Sequence, residues 1–169
     1  MIDGGTHTND STPNLTLAAT GTSEMYITNT AGCAAGGTWE AYATSKASWT
    51  LGQTNTTATV YVKFRDEAGN ESACVNDTIV HDDIVPTSAS LTIATGPYTS
   101  LTNPIVFPSA VGASEMYVTN TSGCSAGGSW ETYATSKASW ALGQTNATAT
   151  VYVKFRDEAG NESACVSDT

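Results

Sequence analysis

Residues 59–71 read TVYVKFRDEAGNE, and residues 150–162 repeat the same letters. In both copies apolar residues alternate with polar or amphipathic ones, so that one face of a strand would carry Val60, Val62 and Phe64. The letters DEAGN that follow are typical of a tight turn between two strands. The stretch therefore predicts a strand and a hairpin, and it sets an all-β fold as the working hypothesis.

The repeated stretch belongs to a much longer duplication. Residues 23–78 and residues 114–169 are related by a shift of 91 positions and differ at only eight of 56 positions. A repeat of this length is a whole small domain that has been copied, rather than a short solenoid unit. Because an enzyme seldom needs two adjacent copies of one site, the duplication favours stalks, adhesins and multivalent binders.

Each copy contains several further strand candidates, separated by turn signals that are rich in glycine and asparagine. These candidates are Asn14–Ala18, Glu24–Thr28, Trp39–Ala43, Ala47–Leu51, Ala73–Val80, Ser90–Ala94 and Pro104–Phe107. About seven short strands in some 85 residues are typical of a β-sandwich. The acidic segment HDDIVPT at 81–87 indicates a linker, so we expect domain 1 at residues 1–83 and domain 2 at residues 84–169.

The four cysteines recur at the same register in both copies. Four cysteines allow three connectivities, and only pairing within each copy is itself repeated, which predicts Cys33–Cys74 and Cys124–Cys165. Each disulfide would close a loop of about 42 residues and contribute about 4 kcal/mol of stability in the chain-entropy model. Disulfides indicate an oxidising compartment, whereas four buried free thiols would be the cytosolic alternative.

Charge and composition restrict the partners. The chain carries 16 acidic residues against six basic ones, for a net charge of −10, which argues against binding to nucleic acid or to an anionic membrane. The sequence contains neither a transmembrane run nor a signal peptide. The repeat register places Met1 opposite Thr92 and Thr169 opposite Thr78. We therefore interpret the chain as a fragment of a longer array, which lacks the start of strand A in domain 1 and the end of the last strand in domain 2.

The stretch VYVKFRDEAGNES, with W-x-x-Y upstream and D-D-x-x-P downstream, resembles bacterial immunoglobulin-like (fibronectin III-like) domains. Such domains occur as tandem repeats in surface adhesins. The resemblance covers nearly the whole unit and implies two tandem immunoglobulin-like β-sandwich domains on the outer surface of a bacterium. It also implies a non-enzymatic role as an adhesin stalk or spacer, with neighbouring repeats as partners. The alternative is a multivalent module that binds a glycan or protein on a host or prey cell.

Catalysis is not expected from this sequence. His7 and His81 are its two histidines, and neither has a counterpart in the other copy. The sequence shows no repeated Ser-His-Asp set, no His/Cys metal spacing and no phosphate-binding loop. We therefore expect no enzyme activity and no required cofactor.

The repeated aromatic residues are the candidates for ligand binding. Trp49 shares a strand face with Leu51, which favours a place in the core, and Trp39 is expected to be at least half-buried. Tyr42 lies on the opposite face from Trp39, so Tyr42 and its counterpart Tyr133 are the aromatic rings expected at the surface. Exposed rings stack on the C–H faces of sugars, which makes these two tyrosines candidate glycan-binding residues.

Carboxylates near the domain junction are the candidate metal ligands. Calcium prefers hard oxygen ligands clustered on loops, and in the resembling fold the second domain's hairpin would approach the linker. The candidate ligands at this junction are Asp82, Asp83, Asp157, Glu158 and Asn161. The alternative is that the hairpin residues only form a turn, because Asp and Asn side chains bond nearby amides.

The two copies differ most in their first 22 residues. Segments 1–22 and 92–113 agree at only six positions. Either this edge of each domain makes contacts specific to that copy, or one copy acquired its segment by recombination.

Overall fold

The computed structural model describes every residue of the chain except Thr95 and Pro97. The chain divides into two compact units, Met1–Asp83 and Ile84–Thr169. The regular structure in the described residues consists of strands and two short 3₁₀ turns, Ala31–Cys33 and Ser122–Cys124. The prediction of an all-β fold is therefore confirmed.

Seven strands form the described part of unit 1. They are β1 His7–Thr8, β2 Leu15–Thr16, β3 Glu24–Thr28, β4 Trp39–Ala41, β5 Ser45–Lys46, β6 Thr56–Arg65 and β7 Val75–His81. Five of these strands make one sheet in the order β1-β7-β6-β3-β4, and β2 pairs with β5 in a second, two-stranded sheet. Both sheets contribute apolar side chains to one core, in which Leu15 from β2 meets Val60 and Ile79 from the larger sheet.

The predicted alternation decides how β6 sits in its sheet. Val60, Val62 and Phe64 belong to the core or pack against it, while Lys63 lies on the other face and reaches Glu71. Strand β6 pairs antiparallel with β3 on one side and with β7 on the other. This central position explains why the strand with the clearest period-two pattern organises the sheet.

Unit 2 repeats this plan with six strands among its described residues. They are β8 Thr87–Ile93, β9 Val106–Val111, β10 Glu115–Thr119, β11 Trp130–Thr132, β12 Val151–Arg156 and β13 Val166–Asp168. Four of them form a sheet in the order β11-β10-β12-β13, and β8 pairs with β9. One face of β12 is fully buried, because its side chains Val151, Val153 and Phe155 lie in the core of unit 2.

Three expectations from the sequence need correction. The segment 47–51 is not a strand, because Ser48 adopts a positive φ of 52° that interrupts an extended backbone. The strand expected from Ala73 begins at Val75, so that Cys74 lies just before it. Finally, unit 2 has six strands among its described residues rather than seven, because residues 98–99, the counterpart of β1, are not in a strand and the counterpart of β5 makes only an isolated bridge between Val106 and Lys137.

Candidate functional site

The disulfides join the same two places in each unit. Cys33 is bonded to Cys74, and Cys124 to Cys165, with a Cα–Cα distance of 5.9 Å in both pairs. In unit 1 the bond connects the 3₁₀ turn between β3 and β4 to the residue before β7. This pairing is the one that the repeat predicts, and the described residues contain no free cysteine. The bond therefore encloses β4, β5 and β6 in a covalently closed loop.

The acidic hairpin after β6 is a self-contained turn. Asp66 Oδ1 accepts a hydrogen bond from the Asn70 amide at 2.9 Å, and Asp66 Oδ2 accepts one from Asn70 Nδ2 at 2.8 Å. The hydrogen bond from the Asn70 side chain, followed by that from its backbone, holds the pKa of Asp66 below its ordinary value. The Asp66 carboxylate thus holds the turn together, which is the turn-forming alternative to metal binding.

The hairpin of unit 2 has the same internal bonds. Asp157 Oδ1 accepts from the Asn161 amide and Asp157 Oδ2 from Asn161 Nδ2, both at 2.9 Å. Asp157 and Asn161 are buried, while Glu158 is exposed. Asp157 thus has lone pairs on both oxygens engaged in forming the turn.

The other two candidate metal ligands, Asp82 and Asp83, are the last two residues of unit 1. The backbone amide of Asp82 donates to the Thr8 carbonyl at 3.0 Å, and that of Asp83 donates to Asn55 Oδ1 at 2.9 Å. Within the described part of the chain, no three His, Cys, Asp or Glu side chains are gathered so as to hold a metal ion. Calcium binding by the five named residues stays a prediction.

The expected exposure of Tyr42 and Tyr133 is wrong. The Tyr42 ring packs against the core of unit 1 and meets Phe64 edge-on, with ring centroids 5.9 Å apart. Tyr133 packs in the same way against Phe155 at 5.7 Å. Tyr42 does lie on the face opposite Trp39, as the alternation predicts, but that face is the buried one, because the register of β4 on β3 sets Trp39 beside Tyr26 on the outer face.

A layered array of aromatic and cationic side chains covers the outer face of the larger sheet in unit 1. The rings of Tyr26 and Trp39 lie 5.5 Å apart, and Lys63 Nζ stands 5.2 Å and 5.4 Å from the two ring centroids. The Arg65 guanidinium lies 4.3 Å from the Trp39 ring centroid, within the range of a cation–π contact. We call Tyr26, Trp39, Lys63 and Arg65 the outer-face array.

Carboxylates complete the outer-face array. Lys63 Nζ pairs with Glu71 at 2.8 Å, and Arg65 Nε pairs with Glu24 at 2.5 Å. The hydrogen bond from Arg65 holds the pKa of Glu24 below its ordinary value. Because both cations are engaged by rings and carboxylates, the array is a closed set of contacts rather than an open binding surface.

The turn before β4 depends on a glycine at one position. The Gly37 amide donates to the Tyr26 hydroxyl at 3.0 Å. A Cβ atom at Gly37 would lie 2.4 Å from the Ile27 carbonyl oxygen, a distance that real side chains do not reach. Glycine is therefore required here so that the turn can approach β3 and bond the tyrosine.

Unit 2 carries the same outer-face array. Tyr117 and Trp130 lie 5.5 Å apart, with Lys154 Nζ 5.4 Å and 5.2 Å from their ring centroids and Arg156 4.4 Å from Trp130. Sequence reasoning missed this set, although the alternation placed Lys63 and Arg65 on one face. The missing information was the cross-strand register, which sets Tyr26 opposite Lys63.

The comparisons with known proteins support the fold alone. The structure is similar to the fibronectin(III)-like modules of Clostridium thermocellum CbhA, with a TM-score of 0.53, 12% sequence identity, and coverage of 99% of this chain and 90% of that chain. No protein-family model matches the sequence, and no curated protein is similar to it. No helix among the described residues is long and apolar enough to cross a membrane. The chain thus has a fibronectin(III)-like β fold stabilised by two disulfides, which are typical of oxidising, extracellular environments.

Proposed function

We propose that this chain is a non-enzymatic repeat module of a secreted or cell-surface bacterial protein, in which it serves as an adhesin stalk or spacer. Each unit would be an immunoglobulin-like β-sandwich, and the two would stand in tandem within a longer array whose other repeats are their partners. The observation that carries the proposal is the duplication of a 56-residue segment that contains both cysteines of each disulfide.

The position of the disulfide suits a load-bearing role. A force applied to the ends of unit 1 passes through the bond between Cys33 and Cys74. The chain between these two cysteines, which are 41 positions apart, therefore bears no load and cannot be stretched while the bond is intact. Strand β6, which organises the sheet, lies inside this closed loop. When the non-covalent structure of such a unit is lost, only the residues outside the disulfide-closed loop can extend.

The repeated side chains give no support to a catalytic role. Those shared by both units form the turns, the core contacts and the outer-face array described above. His81 is buried and has no hydrogen-bond partner on either ring nitrogen among the described residues, while His7 contacts the hydroxyl of Thr6. Neither histidine recurs in unit 2, whereas a duplicated enzyme would need its machinery in both copies.

The competing proposal is a multivalent binder of glycans or proteins. The repeated aromatic rings give this proposal little support as a binding surface, because Tyr42 packs inward and Trp39 is flanked by Lys63 and Arg65. The two functions separate on an array of cell-surface glycans and matrix proteins probed with the whole chain. A spacer predicts no binding above background, and reproducible binding to one glycan class would establish the multivalent module instead.

A further inference from the structure

The outer face of the smaller sheet differs in chemistry between the two units. In unit 2 this sheet consists of β8 and β9, and alternate residues of β9 point away from the core, because Val106 and Pro108 between them are buried. The apolar residues on this outer face are Ile105, Phe107 and Val111, which are 43%, 43% and 64% exposed. We call these three residues the ridge.

The counterparts of the ridge in unit 1 are polar. They are Asn14, Thr16 and Thr20, and all three are exposed, as the ridge residues are. Exposure at these positions is therefore a property of the fold, whereas the apolar chemistry belongs to unit 2. Apolar side chains gathered at the surface gain free energy when a partner covers them, which makes the ridge a candidate interface within the segment 92–113.

Strand β8 presents small side chains beside the ridge. Its exposed residues next to the ridge are Ser90, Thr92 and, just after the strand, Ala94. Thr92 lies opposite Phe107 in the antiparallel register, and the Ala94 amide donates to the Ile105 carbonyl at 2.9 Å. We call Ser90, Thr92 and Ala94 the strip. The outer face thus has large side chains along one strand and small ones along the other.

This face is also free of charge. Neither β8 nor β9 contains a charged residue, although the chain as a whole has a net charge of −10. In unit 1 the counterpart of Ala94 is Asp3, whose carboxylate accepts a hydrogen bond from the Thr16 hydroxyl at 2.9 Å. Two copies of so acidic a chain repel each other, so a contact between copies requires a surface without carboxylates. Unit 2 offers that surface, and unit 1 does not at the same position.

We propose that the ridge and the strip form a self-association surface, through which unit 2 of one chain binds unit 2 of a second copy. A twofold axis parallel to the strands would lay the ridge of each copy over the strip of the other. Phe107 of one copy then lies over Thr92 of the other, where a small side chain leaves room for the ring. Two sheets pack face to face in this way inside β-sandwiches. The inference does not depend on the spacer function, because it concerns only this face.

The size of the face makes a single contact weak. Strands lie about 4.8 Å apart and rise about 3.3 Å per residue, so two strands of seven residues cover about 220 Å², against about 800 Å² per partner in a standard interface. We therefore expect a Kd of about 1 mM for the chain alone. Contacts of this strength become effective when they recur along two neighbouring molecules.

Sedimentation equilibrium of the whole chain at concentrations up to about 1 mM tests the proposal. With a Kd of about 1 mM, half of the chains are paired at the highest concentration, and the weight-average mass is about 1.5 times that of the monomer. Added salt should strengthen the association, because it screens the repulsion between the two acidic chains.

The decisive variant combines Ile105→Asn, Phe107→Thr and Val111→Thr, which places the residues of unit 1 at the ridge. Unit 1 holds the same residues at the same exposed positions, so the variant should keep its fold and its melting temperature. We expect it to weaken association at least about tenfold, because six apolar side chains are lost from the paired surfaces.

Two single variants test the geometry and the specificity. Thr92→Glu keeps the ridge and places a carboxylate in the strip, and it should weaken association as the ridge variant does. Val75→Thr changes an exposed valine of unit 1 outside this face, and it should associate like the wild type.

Three results would overturn the proposal. A wild-type chain that stays monomeric over the whole concentration range would exclude a second copy as the partner. Association that survives the ridge variant or Thr92→Glu would assign the contact to another surface. Binding of the monomeric wild type, but not of the ridge variant, to an insoluble polysaccharide would assign the face to a glycan instead.

Discussion

The hydroxyl of Tyr42 accepts a hydrogen bond from the backbone amide of Ala19 at 3.1 Å. The same bond joins Tyr133 to Ala110 at 3.2 Å in unit 2. Ala19 follows β2 in the smaller sheet, whereas Tyr42 follows β4 at the edge of the larger one. The tyrosine therefore fastens one sheet to the other, which explains why it recurs in both units without being exposed.

Replacing Tyr42 by phenylalanine keeps the ring against Phe64 and removes only this bond. We expect Tyr42→Phe to lower the free energy of unfolding of unit 1 by about 1 kcal/mol, because the partly buried Ala19 amide loses its acceptor. Chemical denaturation measures the change. Tyr61→Phe, on the opposite face of β6, is the control and should be neutral. Equal effects of the two variants would show that the hydroxyl of Tyr42 contributes nothing specific.

The contrast between β6 and Tyr42 shows how far the sequence carries the fold. The alternation in residues 59–65 was enough to identify the central strand and its buried face, because a period of two has one interpretation inside a sheet. Alternation also places Tyr42 opposite Trp39, but it does not say which of these two faces is buried. That depends on the register of β4 on β3, which sets Trp39 beside Tyr26 on the outer face.

In the candidate site, too, one feature could be predicted from the sequence and another could not. The disulfide pairing followed from the register of the repeat, since only one pairing was itself repeated. The outer-face array could not be predicted from the sequence. Its residues Tyr26, Trp39 and Lys63 come from three strands, and no local sequence pattern encodes the register between those strands.

The buried imidazole of His81 gives a second prediction. Its ring is 1% exposed, and neither nitrogen has a hydrogen-bond partner among the described residues. An apolar side chain of similar volume should suit this place as well or better, because it carries no polar atom that burial leaves unpaired. We expect His81→Leu to leave the melting temperature of unit 1 unchanged or to raise it.

The control for His81 is a variant that creates a cavity. His81→Ala should lower the free energy of unfolding by about 2 kcal/mol or more, as for other large-to-small changes in a core. The two variants are compared by thermal and chemical denaturation. If His81→Leu destabilised unit 1 as much as His81→Ala, the ring nitrogens would have a role that the packing does not show.

The Asp66 turn predicts a pH dependence of stability. The pKa of Asp66 is lower in the folded chain than in the unfolded chain, because Asn70 donates two hydrogen bonds to the ionised carboxylate. The contribution of Asp66 to stability is therefore complete above its unfolded pKa, and it is lost as the pH falls through its folded pKa. Wild type should lose stability on acidification more steeply than Asp66→Asn.

The measurement for Asp66 is the free energy of unfolding between pH 6 and pH 2. Glu67→Gln, an exposed neighbour in the same turn, is the control and should follow the wild-type curve. Parallel curves for wild type and Asp66→Asn throughout this range would mean that the carboxylate does not hold the turn.

Single-molecule extension of the whole chain, pulled from its two ends with and without reductant, tests the mechanical role most directly. Under oxidising conditions the chain between the two cysteines of each disulfide, which are 41 positions apart, does not contribute to the measured extension. We predict two unfolding events of similar size, each lengthening by about 140 Å on reduction, since an extended residue spans at most about 3.3–3.6 Å. A single unfolding event, or increments that do not change on reduction, would contradict a spacer made of two disulfide-limited units.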